Sequence, residues 1–171
     1  MARRGHRDPE KCQLPSRQEA LMPDAAYIAR WGAGPHEAAD ALIVREPGWV
    51  LLIRRRADGL WAMPGGFLNP GETALDAARR EALEETSIDL TGIEPTRILR
   101  ADSPDRDPRA HICTTVHLFV LPRTWWGVAV AGDDAAEVRW VKPATLVHPP
   151  YEGRVWADHA RLIAELTETE T

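Results

Sequence analysis

The stretch Gly65-Gly66-Phe67-Leu68-Asn69-Pro70-Gly71-Glu72 runs directly into residues 73–86, TALDAARREALEET. The second part reads as a helix, rich in Ala, Leu, Arg and Glu and free of Gly and Pro. Glu81, Glu84 and Glu85 stand at i, i+3 and i+4, so they share one helix face within about one turn. Three like charges this close repel one another, and a helix gains nothing from them unless a cation neutralises them. Hard cations such as Mg²⁺ and Mn²⁺ take oxygen ligands of this kind. Leu75, Ala78 and Ala82 form a neighbouring apolar flank, which would dock the helix on a sheet and leave the acidic face at the rim of a cleft. Arg80 can reach Asp76 or Glu84 one turn away on either side, and it reads as a scaffold that restrains a carboxylate.

In the loop before the helix, Gly65 and Gly66 allow close backbone approach. A free carbonyl at Gly66 offers a further metal ligand. Pro70-Gly71 turns the chain sharply, and Glu72 sits near the helix N-terminus, where negative charge is favoured. An EALEE string by itself is ordinary solvated helix surface. The joint spacing is different: Gly66, five residues, Glu72, seven residues, then Arg80-Glu81 and Glu84-Glu85. That many coupled constraints point to chemistry.

Working outward, AAYIARW (25–31) is short and reads as a strand. ADALIVRE, the Glu46-Pro47-Gly48 turn and WVLLIRRR read as a hairpin. RILRA, HICTTVHLFVL, VAVA (128–131) and EVRWV read as further strands. Pro143 opens a helical turn, and VWADHARLIAEL reads as a terminal amphipathic helix. Strands outnumber helices in a mixed order, which predicts an α+β or α-β-α sandwich rather than a regular βαβ fold. Residues 1–22, rich in Arg, Pro and Gln without a period, read as a flexible arm, and 23–171 as one domain.

The net charge of −5 argues against a long nucleic acid as partner. A small anionic substrate would need local compensation from a metal or a few arginines. Cys12 and Cys113 are far apart and fit no zinc spacing, and no apolar run is long enough to span a membrane. The basic start lacks the apolar stretch of a secretory signal, so a reduced, cytoplasmic protein is expected.

Other residues are candidates beside ordinary structural roles. Asp133, Asp134 and Glu137 lie in or beside a GDDAAE loop before a strand, where Asp is at home in a polar turn. Arg109, in an Asp-Pro-Arg turn, could clamp a phosphate. Of Arg54, Arg55 and Arg56, strand alternation lets one face an anionic substrate while another is solvated; Arg54 is the candidate chosen. Among seven Trp, Trp61, Trp125 and Trp126 are considered for stacking on a base, with Trp61 the substrate candidate. Asp158, His159, His111 and His117 read as structural.

The loop and helix resemble the box of the Nudix hydrolase family, G-x5-E-x7-R-E-U-x-E-E-x-G-U, where U is a bulky apolar residue. Gly66, Glu72, Arg80, Glu81, Glu84, Glu85 and Ile88 match in place. Ala82 stands where a larger apolar residue is usual, and Ser87 where the family has Gly, just past the helix. Ser87 would have to take a left-handed conformation at some cost. Outside the box, ARWGAGPHEAADALIVR, WAMPGGFLNPGE, Asp107-Pro108-Arg109 and AGDDAAEVRWV look like the ADP-ribose pyrophosphatase branch. The resemblance implies a Nudix-type α-β-α sandwich around a mixed sheet. It implies Mg²⁺ or Mn²⁺ bound by Gly66, Glu81, Glu84 and Glu85, with Glu72, Arg80, Glu84, Glu85, Asp133 and Asp134 in the catalytic machinery and Arg54, Trp61, Arg109 and Glu137 toward substrate. ADP-ribose would be hydrolysed by a metal-activated water to AMP and ribose 5-phosphate. The partner would be this small nucleoside diphosphate derivative, and related enzymes leave room for a homodimer through the N-terminal segment. The alternatives are another Nudix substrate (NADH, a nucleotide sugar, a dinucleoside polyphosphate, a modified nucleoside triphosphate) or a module that binds ADP-ribose without cutting it.

Overall fold

The computed structural model describes residues 24–132 and 134–168. The arm 1–22 lies outside the described residues, as does Asp133. The elements run α1 (Ala25–Trp31), β1 (His36–Arg45), β2 (Trp49–Arg55), β3 (Trp61–Ala62), β4 (Gly65–Phe67), α2 (Ala74–Thr86), β5 (Arg97–Ala101), β6 (Ile112–Val120), β7 (Ala135–Val141), a 3₁₀ turn (Pro143–Thr145) and α3 (His159–Thr167). The strands form one mixed sheet in the order β3-β2-β1-β6-β5, with β4 also on β1 and β7 also on β2. The β1–β6 pairing is parallel, His36 opposite Ile112 through Val44 opposite Val120. The other pairings are antiparallel.

Side-chain alternation along the strands builds two cores, one on each face. On β1, Ala39, Ala41 and Ile43 pack with Ala77, Ala78 and Ala82 of α2. Leu42 joins Val50 and Leu52 of β2 with Leu162, Ile163 and Leu166 of α3 on the other face. The result is the α-β-α sandwich of an α+β protein. Ala82 is fully buried, and small residues there let α2 lie close to the sheet. A larger side chain would overpack this contact.

Strand β1 changes partner along its length. Its C-terminal end pairs with β2 (Val44 opposite Val50), while its N-terminal half pairs with β4 (Ala38 opposite Phe67, Asp40 opposite Gly65). The opening between these pairings is where the sheet makes room for a cleft.

Two expectations are corrected. Residues 25–31 are helix α1, not a strand, because the Asp24 carboxylate accepts the Ala26 and Tyr27 N–H groups (2.8 and 3.1 Å) and starts a helical turn. Residues 128–131 are not a strand either. Val130 N–H donates to Thr86 O (2.9 Å) and Gly132 N–H to Glu85 O (3.1 Å), so this segment caps the end of α2 instead of joining the sheet.

Candidate active site

Helix α2 is set by local chemistry at both ends. Thr73 is its N-cap, accepting from Asp76 N (3.1 Å), and donates its hydroxyl to Asp76 Oδ2 (2.6 Å). At the other end Ser87 adopts φ 59, ψ 17, and its N–H reaches Leu83 O. A Cβ at Gly132 would collide with Glu84 O, so glycine lets the following loop lie against the helix end. That contact brings Asp134 to the same cavity as Glu85.

The cavity holds about 310 Å³ and lies where β1 changes partner. Asp40, Gly65, Gly66, Glu85 and Asp134 line it, and Arg55, Phe67, Asp107, Arg109 and Trp156 stand among its other walls. Glu85 is only 6% exposed and accepts the Gly65 N–H through Oε2 (3.0 Å). Burial pushes its pKa up to about 8, with the Glu81, Asp40 and Asp134 charges adding to the rise. Asp40 is 7% exposed and accepts the Thr114 hydroxyl (2.6 Å). His159, also at the cavity, accepts the Met63 N–H on Nδ1 (3.1 Å), which requires that nitrogen to be unprotonated. Burial accordingly lowers its pKa.

Arg80 organises the outer carboxylates. Its Nε and Nη2 grip Glu72 at 2.8 and 2.9 Å, Nη1 reaches Glu81 (2.6 Å) and Glu84 (3.3 Å), and Nη2 also donates to Phe67 O (3.1 Å). Its reach therefore includes Glu84, as spacing suggested, and extends to Glu72 and Glu81. Glu72 in turn accepts Asn69 N–H (2.8 Å), so helix and loop are tied through one carboxylate.

The donors suit a hard divalent cation. They are all oxygen. Burial holds Glu85 and Glu81 above the ordinary carboxylate range, so both would gain from a positive neighbour. A Cβ on Gly66 would meet the Glu81 carboxylate, so with glycine there the carboxylate lies directly against the loop backbone. Among the described residues no three His, Cys, Asp or Glu side chains converge on one point; Arg80 engages Glu81 and Glu84, while Glu85 turns to Gly65.

Of the sequence candidates, Gly66, Glu85, Arg109 and Asp134 line the cavity; Glu72, Arg80, Glu81 and Glu84 stand outside its lining on the loop and helix, and Arg54, Glu137, Trp61, Trp125 and Trp126 also fall outside it. Arg54 pairs with Glu137 (3.3 Å), away from the cavity lining. Trp61 is buried in the core against Tyr151, edge to face at 5.6 Å, and has no face for a base. Trp125 packs on Trp140. Alternation is the reason: Ile53 and Arg55 share the cavity face of β2, and Arg54 must point the other way. Arg109 does line the cavity. Asp40 and Trp156 were not singled out for the site by sequence reasoning, and Arg55 was weighed there with Arg54 and Arg56 before Arg54 was chosen. Asp40 carried a signal, as a charge inside the apolar run of β1.

A glutamate helix aimed into a cleft of an α-β-α sandwich defines the class. A family model described as NUDIX domain matches residues 34–166, and the chain belongs to that family. It is 38% identical over 114 residues to an ADP-ribose pyrophosphatase of Methanocaldococcus jannaschii, covering 62% of this chain and 61% of that one. Among solved structures, it is similar to a bifunctional NMN adenylyltransferase/ADP ribose pyrophosphatase of Francisella tularensis complexed with AMP and a Mn ion. There the TM-score is 0.71 at 32% identity, over 82% of this chain and 44% of that one. The NUDIX domain of Shewanella oneidensis NrtR, complexed with ADP ribose, shares the fold at 23% identity and TM-score 0.63, over 85% and 97% of the two chains. Among the described residues no helix is long and apolar enough to cross a membrane.

Proposed function

We propose that this chain is a divalent-metal-dependent pyrophosphohydrolase that splits ADP-ribose into AMP and ribose 5-phosphate. The observation that carries the reading is Glu85, buried at the cavity floor on the acidic helix with Asp40 and Asp134 as its neighbours. Glu81, Glu84, Glu85 and the Gly66 carbonyl would hold Mg²⁺ or Mn²⁺. When bound, the metal neutralises the diphosphate and lowers the pKa of water. Arg80 keeps Glu72 and the loop in place while Glu85 stays in the cavity. Asp134 accepts the proton of the attacking water. Arg109, oriented by Asp107 through Nε (3.0 Å) and Nη2 (2.8 Å), contacts the substrate.

The likeness to the two ADP-ribose pyrophosphatases supports the choice of substrate. Hydrolysis in ¹⁸O-water tests the chemistry. The label is expected in AMP or in ribose 5-phosphate, because water is the nucleophile. Products without label would rule out direct attack by water.

A further inference from the structure

One wall of the cavity is built from cations stacked on aromatic rings. The Arg55 guanidinium lies 3.7 Å from the Trp156 ring centroid, and that of Arg109 lies 5.0 Å from the same ring. Arg109 also stands 5.5 Å from Phe67 and 5.8 Å from Tyr27. Trp156 is fixed by its backbone: its N–H donates to Trp61 O (2.7 Å), and Trp61 N–H donates to Arg154 O (2.8 Å). Arg55 is aimed into the cavity by strand alternation, from the same face of β2 as Ile53.

At 3.7 Å Arg55 covers a face of the indole, so that face is closed to a nucleotide base. The ring serves the guanidinium groups instead. Each arginine has one carboxylate partner and donors left over. Arg55 Nη2 meets Asp58 (3.2 Å), and Arg109 gives Nε and Nη2 to Asp107. Among the described residues no hydrogen bond to another side chain engages Arg55 Nε or Arg109 Nη1. Two half-buried guanidinium groups on one ring repel each other, and burial works against the charge on Arg55. An anion with two or more charges between them would relieve both effects.

We propose that Arg55 and Arg109 form the subsite for the diphosphate in this cavity, with Trp156 as the positioning residue that holds both. The proposal rests on the reading of the cavity as a diphosphate-cleaving site. It divides the work between two sets of groups: carboxylates with the metal, and guanidinium groups stacked on aromatic rings.

The test compares wild type, Arg55→Met, Trp156→Leu and Trp156→Phe at saturating Mg²⁺. Calorimetry measures the affinity for inorganic pyrophosphate, and initial rates give kcat and KM for ADP-ribose. Arg55→Met and Trp156→Leu are expected to weaken pyrophosphate binding about tenfold or more and to raise KM by a similar factor, with kcat within about threefold, as for lost uniform binding. Trp156→Phe keeps an aromatic platform and is expected to stay within about threefold of wild type on both measures. Unchanged pyrophosphate affinity in Arg55→Met overturns the proposal, as does a loss confined to kcat. If Trp156→Leu fails to fold, Arg55→Met alone decides. If wild type leaves ADP-ribose intact while Arg55→Met still loses pyrophosphate, the assigned substrate falls and the subsite stands.

Discussion

Arg80 holds Glu72 by two parallel contacts, Nε to Oε1 at 2.8 Å and Nη2 to Oε2 at 2.9 Å. Together with the Asn69 N–H, this grip keeps the Glu72 carboxyl down at about 2. The pair joins the helix to the glycine loop that frames the cavity. Arg80→Ala is expected to lower kcat by roughly 10–100-fold, the usual cost of removing a group that orients a metal ligand. Arg80→Lys should recover only part of this, because an ammonium cannot make both contacts. Steady-state rates at saturating Mg²⁺ check it; wild-type kcat in Arg80→Ala would show that the grip is idle.

Glu85 gives a pH prediction for the metal-free protein. Its pKa rises on folding from 4.5 to about 8, so the folded state holds a proton that the unfolded chain releases earlier. Stability from this group is complete below about 4.5 and is lost as pH rises through 8. The melting temperature of chelator-treated protein is expected to fall between these limits, and Glu85→Gln should flatten that fall. An equal slope in wild type and Glu85→Gln would assign it to other groups.

Activity should depend on Glu85 far more than folding does. Glu85→Gln is expected to cut kcat by about 10³-fold, equivalent to about 4 kcal/mol of transition-state stabilisation. Circular dichroism should remain that of wild type. A loss of tenfold or less at saturating metal would make Glu85 peripheral.

Ser87 ends α2 in the left-handed region at φ 59. A side chain there costs roughly 1 kcal/mol against glycine, and Ser87 recovers little through a 3.5 Å contact to Val130 O. Ser87→Gly is therefore expected to raise the melting temperature by about 2–4 °C, the shift that ~1 kcal/mol gives in a chain of this size. An unchanged or lower value would mean that the hydroxyl contact outweighs the strain.

The helix and its loop were legible because their signals are local: the uninterrupted helix formers, the glycines and proline before them, the carboxylates one turn apart. The strained exit at Ser87 was legible through the resemblance, because Ser87 stands where the family has a Gly that would take the left-handed conformation. Helix α1 was missed although Asp24 before two alanines is a usable cap signal; seven residues are too few for apolar period to decide. Residues 128–131 have strand composition, but the carbonyls at the end of α2 claim their N–H groups, a tertiary demand that composition does not carry. Choosing Arg55 over Arg54 required the phase of β2 relative to the cleft. Trp156 reaches the cavity from a segment 101 positions beyond Arg55, and nothing in its neighbours along the chain announces that meeting.

The most direct measurement is a set of initial rates on ADP-ribose, ATP and diadenosine tetraphosphate, each with Mg²⁺ and with chelator, with products identified. ADP-ribose is expected to show the highest kcat/KM and to yield AMP and ribose 5-phosphate. Chelator should abolish turnover, and Mg²⁺ or Mn²⁺ should restore it. Full turnover in chelator, or a tenfold preference for ATP or diadenosine tetraphosphate, would contradict metal-dependent cleavage of ADP-ribose as the activity of this chain.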